Sequence, residues 1–256
     1  MNLEKAQKLA SAKLKKADIK TASLDALILL SLVLKKEKEY ILTHPEQGLI
    51  KNQQKQFLSL LEKRSKRFPL AYLTGEKEFF GYEFLVNKSV LIPRPETEQI
   101  IELALKNVKE NKKIKTWKIL DIGTGSGCIT ISLAKELKRL HLDYKITASD
   151  ISASALKIAK TNAKNLKTKK IIFIRSDLFK NINGKFNLIL ANLPYVKKCE
   201  IENELKFEPI LALEDKNQIK KFLTLAPKFL EKNGLIIYET KNGKIKIKKY
   251  SSSETK

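Results

Sequence analysis

Two short stretches carry residues that can do chemistry. The first is "LDIGTGSGCIT", in which Gly123, Gly125 and Gly127 stand alternately, in a chain with only nine glycines. Glycine admits sharp backbone turns and lets a ligand approach where a Cβ would intrude. The second is "FNLILANLPYVKK", an apolar run that stops at Asn192, Leu193, Pro194 and Tyr195. An ordinary strand end is satisfied by any turn, and one that closes on an amide, a proline and a tyrosine looks built to hold something.

The glycine stretch follows a strand-like run and opens a helix-like one, so its context suits a nucleotide site. A P-loop needs Gly-Lys-Ser/Thr after the turn, where Cys128 and Ile129 stand. The dinucleotide pattern Gly-x-Gly-x-x-Gly is not met either, since the spacing here is Gly-x-Gly-x-Gly. The loop is Gly123, Thr124, Gly125, Ser126 and Gly127. Asp121 closes the strand before it and either holds the loop or meets a cationic ligand. Asp150 ends the next strand, where a carboxylate can accept ribose hydroxyls. In "SDLF", Asp177 and Leu178 follow the third strand, placed to bond and cover an adenine. An acidic, glycine-rich crevice fits a sulfonium nucleoside better than a pyrophosphate, which points to S-adenosyl-L-methionine as the cofactor.

The elements that must position these groups are legible as periodicity. Leu3, Ala6, Ala10 and Leu14 recur at helical spacing. "LDALILLSLVLK" reads as a buried helix capped by Ser23, and "QKQFLSLLEKR" as an amphipathic helix. Residues 68–92 read as a β-hairpin broken at Gly75 and Gly81, with Phe79, Phe80 and Tyr82 as packing residues. "PRPETEQIIELAL" starts a helix with Pro95 in its first turn; Arg94 and Glu96 either line the site or, the more frequent role, serve the surface or cap the helix. From Trp117 strands and helices alternate, ending in a helix interrupted at Pro227, which implies a mainly parallel sheet covered on both faces. Asn242-Gly243 marks a closing hairpin, with Ile245 and Ile247 turned inward, and "SSSETK" reads as a frayed tail. The expected class is α/β, a Rossmann-like sheet with an N-terminal helical bundle. The expected domains are residues 1–67, helical; 68–92, a hairpin linker; and 93–256, catalytic.

Composition narrows the function. Cys128 and Cys199 are the only cysteines and His44 and His141 the only histidines, which argues against a disulfide framework, a cysteine zinc site or a Ser-His-Asp mechanism. The charged start "MNLEKAQKLA" and the lack of a bilayer-length apolar run lead us to expect a cytoplasmic protein. The net charge is +23, carried mostly by lysine rather than by the arginine preferred in base and phosphate recognition. Weak attraction to RNA or ribosomes follows from it.

The strand-end pattern of Asp121–Gly127, Asp150, Asp177 and Asn192 resembles the class I methyltransferases. The stretches "SLDALILLSLVL", "PLAYLTGEKEFFGYEFLV", "VLIPRPETEQIIE", "LDIGTGSGCITISLAKEL", "SDLF", "NLPY" and "FEPILAL" are similar to the PrmC/HemK family, covering roughly residues 3 to 240 in family order. That resemblance implies an S-adenosylmethionine-dependent methylation of the glutamine side-chain amide in the Gly-Gly-Gln motif of class 1 peptide-chain release factors. It implies a helical domain that helps recognise the release factor. We expect a monomer, with no metal and no membrane partner. In the family the corresponding tetrapeptide binds the glutamine amide, so the resemblance implies that the Asn192 side-chain oxygen and the Leu193 carbonyl each accept one N–H and that Tyr195 packs on the amide plane. The family has proline where Leu193 stands, a change that spares the backbone acceptor, and Pro194 still biases Leu193 to extended geometry. "NLPY" also resembles the tetrapeptide of ribosomal RNA adenine dimethyltransferases, so an RNA adenine N6-methyltransferase is the alternative substrate reading. The C-terminal sheet looks shortened relative to the family, which leaves an inactive, partner-binding module as a further alternative. Glu208-Pro209 frames the glutamine pocket or makes a helix-to-loop turn.

Overall fold

A computed structural model describes residues 1–196, 205–215 and 217–250. Cys199 and the "SSSETK" tail lie outside them. The chain divides into two compact units, Met1–Gly75 and Glu76–Lys256.

The first unit is helical: α1 (Leu3–Lys16), α2 (Ala22–Leu34), α3 (Lys38–Thr43), α4 (Lys51–Ser65) and α5 (Leu70–Thr74). Asn2 caps α1 by accepting from the Lys5 N–H at 3.0 Å. Leu3, Ala6, Ala10 and Leu14 form one fully buried stripe and pack with Leu29 and Leu30 of α2 and Phe57 and Leu61 of α4. α2 begins at Ala22 after Thr21, so Ser23 lies inside the first turn rather than capping it. Asp25 is buried on α2 and its charge is met by Arg64 at 2.7 Å. This unit continues past residue 67, because Leu70 and Leu73 of α5 pack onto the same core. The hairpin belongs to the second unit and does not stand apart as a linker.

That hairpin is β1 (Glu76–Phe79) and β2 (Tyr82–Leu85), with Phe79 opposite Tyr82. Its two turn residues, Phe80 and Gly81, both have positive φ, 53° and 74°, the conformation a two-residue turn needs to match strand twist. Phe79 and Phe84 are buried in the main core. A 3-10 turn at Pro95–Thr97 then leads into α6 (Glu98–Glu110).

The sheet comprises β3 (Thr116–Ile122), β4 (Asp143–Asp150), β5 (Ile171–Arg175), β6 (Phe186–Ala191), β7 (Leu230–Thr240) and β8 (Lys244–Lys249), in the order β5-β4-β3-β6-β7-β8. All neighbours are parallel except β7 and β8. The helices between them are α7 (Cys128–Arg139), α8 (Ala153–Asn165), α9 (Ile210–Leu213) and α10 (Gln218–Leu225). α10 passes into a 3-10 turn at Ala226–Phe229, where Pro227 cannot continue the helix.

The sheet is buried on both faces. Ile119, Leu188, Leu190 and Ile237 face a core shared with α6 and α7. Leu120, Ile189 and Ile236 face a second core containing Phe179 and Phe222. That explains why the strands read as continuous apolar runs. Chain order reverses between β3 and β6, opening a crevice at their C-terminal ends where such folds bind ligands. The closing hairpin forms as expected, with Ile245 packed against the core. Ile247, expected inward, is 47% exposed, since β8 is an edge strand whose cover ends at Ile245.

Candidate active site

Gly123, Gly125 and Gly127 all have positive φ, between 55° and 81°. The loop bends back on β4: the Gly123 and Thr124 N–H groups donate to the Ser149 carbonyl at 2.8 and 2.9 Å. Asp150 then braces it, one carboxylate oxygen accepting from the Gly125 N–H at 2.9 Å and the other from the Ser152 N–H at 2.8 Å. A carboxylate has about four acceptor positions, so Asp150 keeps capacity for hydroxyls in the crevice it lines. Burial raises its pKa, and the two N–H bonds oppose that rise.

Space behind the loop is full. A Cβ on Gly127 would lie 2.9 Å from Ile131 Cδ1 and 3.2 Å from Ala159 Cβ. Asn162 of α8 donates to the Ser126 carbonyl at 2.9 Å and bonds both the N–H and the carbonyl of Leu85. One buried amide thus ties the glycine loop to the β1–β2 hairpin.

The crevice is lined by Gly123–Ser126, Asp150, Asp177, Leu178, Asn192, Leu193 and Pro194. The donor set fits a nucleoside: a carboxylate at one strand end, Asp177 and Leu178 at the next, and a glycine floor open to close approach. Of the two readings of Arg94, lining the crevice is the one its position matches; it pairs with Glu208, which is buried and also accepts from the Ile92 N–H at 3.0 Å. Asp121 does not line the crevice. It is fully buried behind the loop, accepting from the Thr130 hydroxyl at 2.5 Å while its Oδ1 has no hydrogen-bond partner. Of its two readings, holding the loop is the one this position matches. Burial pushes its pKa up to about 6. Cys128, at the start of α7, is likewise pushed up to about 12 by burial.

At the end of β6 the Asn192 side chain is fixed on its nitrogen side. Nδ2 donates to Thr97 Oγ1 at 3.0 Å and to Glu239 Oε2 at 2.9 Å. The Thr97 hydroxyl donates to the same Glu239 oxygen at 2.6 Å, and the Tyr195 hydroxyl donates to Glu239 Oε1 at 2.9 Å. Both hydrogens of the Asn192 amide are used by protein, and its Oδ1 is left as an acceptor.

Comparison with known proteins gives the same picture. The family model described as the PrmC N-terminal domain matches residues 5–75, and the methyltransferase small domain model matches residues 101–247. A release factor glutamine methyltransferase of Borreliella burgdorferi is 40% identical over 232 residues, covering 88% of this chain and 78% of that one. Its counterpart in Koribacter versatilis is 40% identical over 219 residues, covering 83% and 75%. The chain belongs to the PrmC family of methyltransferases. Among solved structures, a ribosomal protein L11 methylase from Lactobacillus delbrueckii subsp. bulgaricus aligns with a TM-score of 0.43 and 20% identity, covering 60% of this chain and 64% of that one.

The residues that hold the PrmC-type tetrapeptide were not among those singled out from the sequence. Thr97 and Glu239 are both buried, and they reach Asn192 across 95 and 47 positions of chain. The signal that could have found Glu239 is an acid ending the apolar run "LIIYET", the same strand-end logic that singled out Asp121 and Asp150. Tyr195, expected over the substrate plane, does not line the crevice. Its hydroxyl is drawn to Glu239, and its ring borders a neighbouring hollow with Ile219 and Leu223. Burial first, and then the Glu239 charge, raise the Tyr195 pKa.

Proposed function

We propose that this protein methylates the side-chain amide nitrogen of the glutamine in the Gly-Gly-Gln motif of class 1 release factors, with S-adenosyl-L-methionine as donor. The observation that carries the reading is the Asn192 oxygen, left as an acceptor at a strand end beside the glycine loop. The donor, when bound, supplies an electrophilic methyl group on a sulfonium. Gly123–Gly127, Asp150, Asp177 and Leu178 would hold it.

Asn192 Oδ1 and the Leu193 carbonyl accept the two N–H groups of the target amide. An amide nitrogen is a poor nucleophile because its lone pair is delocalised, so positioning is the main contribution. Two acceptors turn that lone pair toward the crevice and stabilise positive charge as it develops on nitrogen. The proton leaves to solvent. Pro194 keeps Leu193 extended, so the carbonyl keeps its aim although Leu193 is not a proline. Tyr195 supports this arrangement through Glu239. The helical unit recognises the release factor, and one copy of the chain supplies every group named, which suits a monomer. A release factor substrate puts the reaction in the cytoplasm, where the +23 charge also gives weak attraction to ribosomes.

Labelled donor offered to a release factor and to ribosomal RNA tests the reading. Label in the release factor alone is expected, lost in Asn192→Ala with donor binding retained by calorimetry. Label in RNA alone would establish the adenine methyltransferase alternative, which the relatives' names do not favour. Label in neither would favour an inactive module. Among the described residues no helix is long and apolar enough to cross a membrane.

A further inference from the structure

Glu239 lies near the end of β7, fully buried, in a position that no ordinary strand end requires. An ionised carboxylate only accepts hydrogen bonds. Here it takes three: from Thr97, from Asn192 and from Tyr195. Thr97 completes a closed set, donating to Glu239 while accepting from Asn192. An asparagine side chain has two nearly isosteric orientations, and its neighbours alone decide which end faces a ligand. At this site the reversed orientation would put Asn192 Oδ1 against the Glu239 carboxylate, acceptor against acceptor.

We propose that Glu239 is the positioning residue that makes Asn192 an obligatory acceptor, and so restricts this site to substrates presenting an N–H2 group. The inference rests on the proposed use of Asn192 as a substrate acceptor. Glu239 acts in two ways. It fixes the orientation, with Thr97 as the second anchor. It also polarises the amide: a negative charge hydrogen-bonded to Nδ2 shifts electron density toward Oδ1, and such chains strengthen one another in a low-dielectric setting. A carboxylate that orients and sharpens a histidine bound to metal works by the same logic. The buried negative charge also lies one residue away from where positive charge develops during transfer.

Glu239→Gln tests this by removing the charge and making one end of the group a donor. The variant keeps the shape but loses the charge that polarises the Asn192 amide, and its own two orientations no longer force Nδ2 toward position 239. The expected result is a fall in kcat on the order of 10²-fold, the size seen when one transition-state hydrogen bond is removed. Donor affinity and the KM for release factor should stay within about twofold. The double variant Asn192→Asp/Glu239→Gln restores a donor facing an acceptor and leaves a carboxylate oxygen toward the substrate. It should regain at least about tenfold over Glu239→Gln alone. Wild-type kcat in Glu239→Gln, or no recovery in the double variant, would overturn the proposal. If Glu239→Gln fails to fold, Thr97→Val removes the second anchor together with one of the three hydrogen bonds Glu239 accepts, and should lower kcat several-fold at unchanged donor affinity; wild-type kcat in that variant would also count against it.

An activity-independent arm separates this inference from the function on which it rests. In 15N spectra of the donor-free protein, the Asn192 side-chain N–H2, assigned by its loss in Asn192→Asp, should exchange slowly with solvent. In Glu239→Gln, or in Thr97→Val if the first does not fold, it should shift and exchange faster. An unchanged resonance overturns the inference whatever the substrate. Wild-type protein that leaves release factors unlabelled, with the resonance responding as expected, overturns the substrate reading and supports the role of Glu239.

Discussion

Asp121 is a carboxyl group with no exposure, one unpartnered oxygen and Asp150 nearby. Burial lifts its pKa from an ordinary 3.8 to about 6. The native state therefore holds a proton through an interval in which the unfolded chain releases it. Stability falls as pH rises from about 4 to about 6, and the full penalty applies above that. At about 1.4 kcal/mol per pH unit, the interval between 3.8 and about 6 amounts to ~3 kcal/mol at neutral pH. Asp121→Asn removes the titration while keeping an oxygen to accept from Thr130. Its new N–H2 takes the place of the unpartnered oxygen, at a cost that is the same at every pH. The stability difference, variant minus wild type, should therefore grow by ~3 kcal/mol between pH 3 and pH 7, or roughly 6–12 °C in midpoint for a unit of this size. Trp117, the single tryptophan, is buried in β3, the same strand as Asp121, so its fluorescence reports this unit's unfolding. Parallel wild-type and variant curves across that range would show that Asp121 is not a strained acid and that the loop is not held at this expense.

Gly127→Ala should destabilise the second unit by roughly 2–4 kcal/mol, adding left-handed strain to overpacking against Ile131. Gly81→Ala, at similar φ but with nothing within 4 Å, should cost only about 1–2 kcal/mol, and equal thermal shifts for the two would refute the packing term. Arg64→Met leaves Asp25 charged and buried in the helical unit and should cost about 3–5 kcal/mol by urea denaturation, with Asp25→Leu/Arg64→Met recovering most of the loss. Asn162→Ala should weaken donor binding by calorimetry as well as lower the midpoint, because the Ser126 carbonyl loses its support; unchanged donor affinity would mean the loop is braced by Asp150 alone.

Much of the fold was legible because its signals are local. The stripe from Leu3 to Leu14, the glycine loop after β3 and the Asn242-Gly243 turn each lie within a few residues of sequence. Asp150, Asp177 and Asn192 were legible as strand ends, since a parallel sheet brings successive strand ends to one crevice. Thr97 and Glu239 were not, because their role arises only when β7 pairs beside β6 and the segment before α6 closes over both. The misplacement of Ile247 has the opposite origin: alternation predicts which way a side chain points, and at a sheet edge the cover on that face stops short. Asp121 shows the same limit, since its place at a strand end left open whether it met the ligand or the loop.

Leu193 links the two halves of the site physically. A Cβ on Gly123 would lie 3.1 Å from Leu193 Cδ2 and 3.7 Å from the Asn192 carbonyl oxygen. The donor loop and the acceptor tetrapeptide thus meet with no room for a side chain between them. Leu193 is buried, and its side chain fills that junction. A larger residue at 123 would act through this contact, pushing Leu193 and with it the carbonyl we propose as an acceptor of the target amide. Methyl transfer requires reacting atoms within roughly 3–3.5 Å, and a displacement of a few tenths of an ångström at this junction is passed directly to that separation. Gly123→Ala should therefore lower kcat more than its effect on donor affinity accounts for, and Gly123→Ala/Leu193→Ala should restore part of it by reopening the space. If the double variant is no better than the single, the contact carries no strain to the acceptor and Gly123 serves the donor alone.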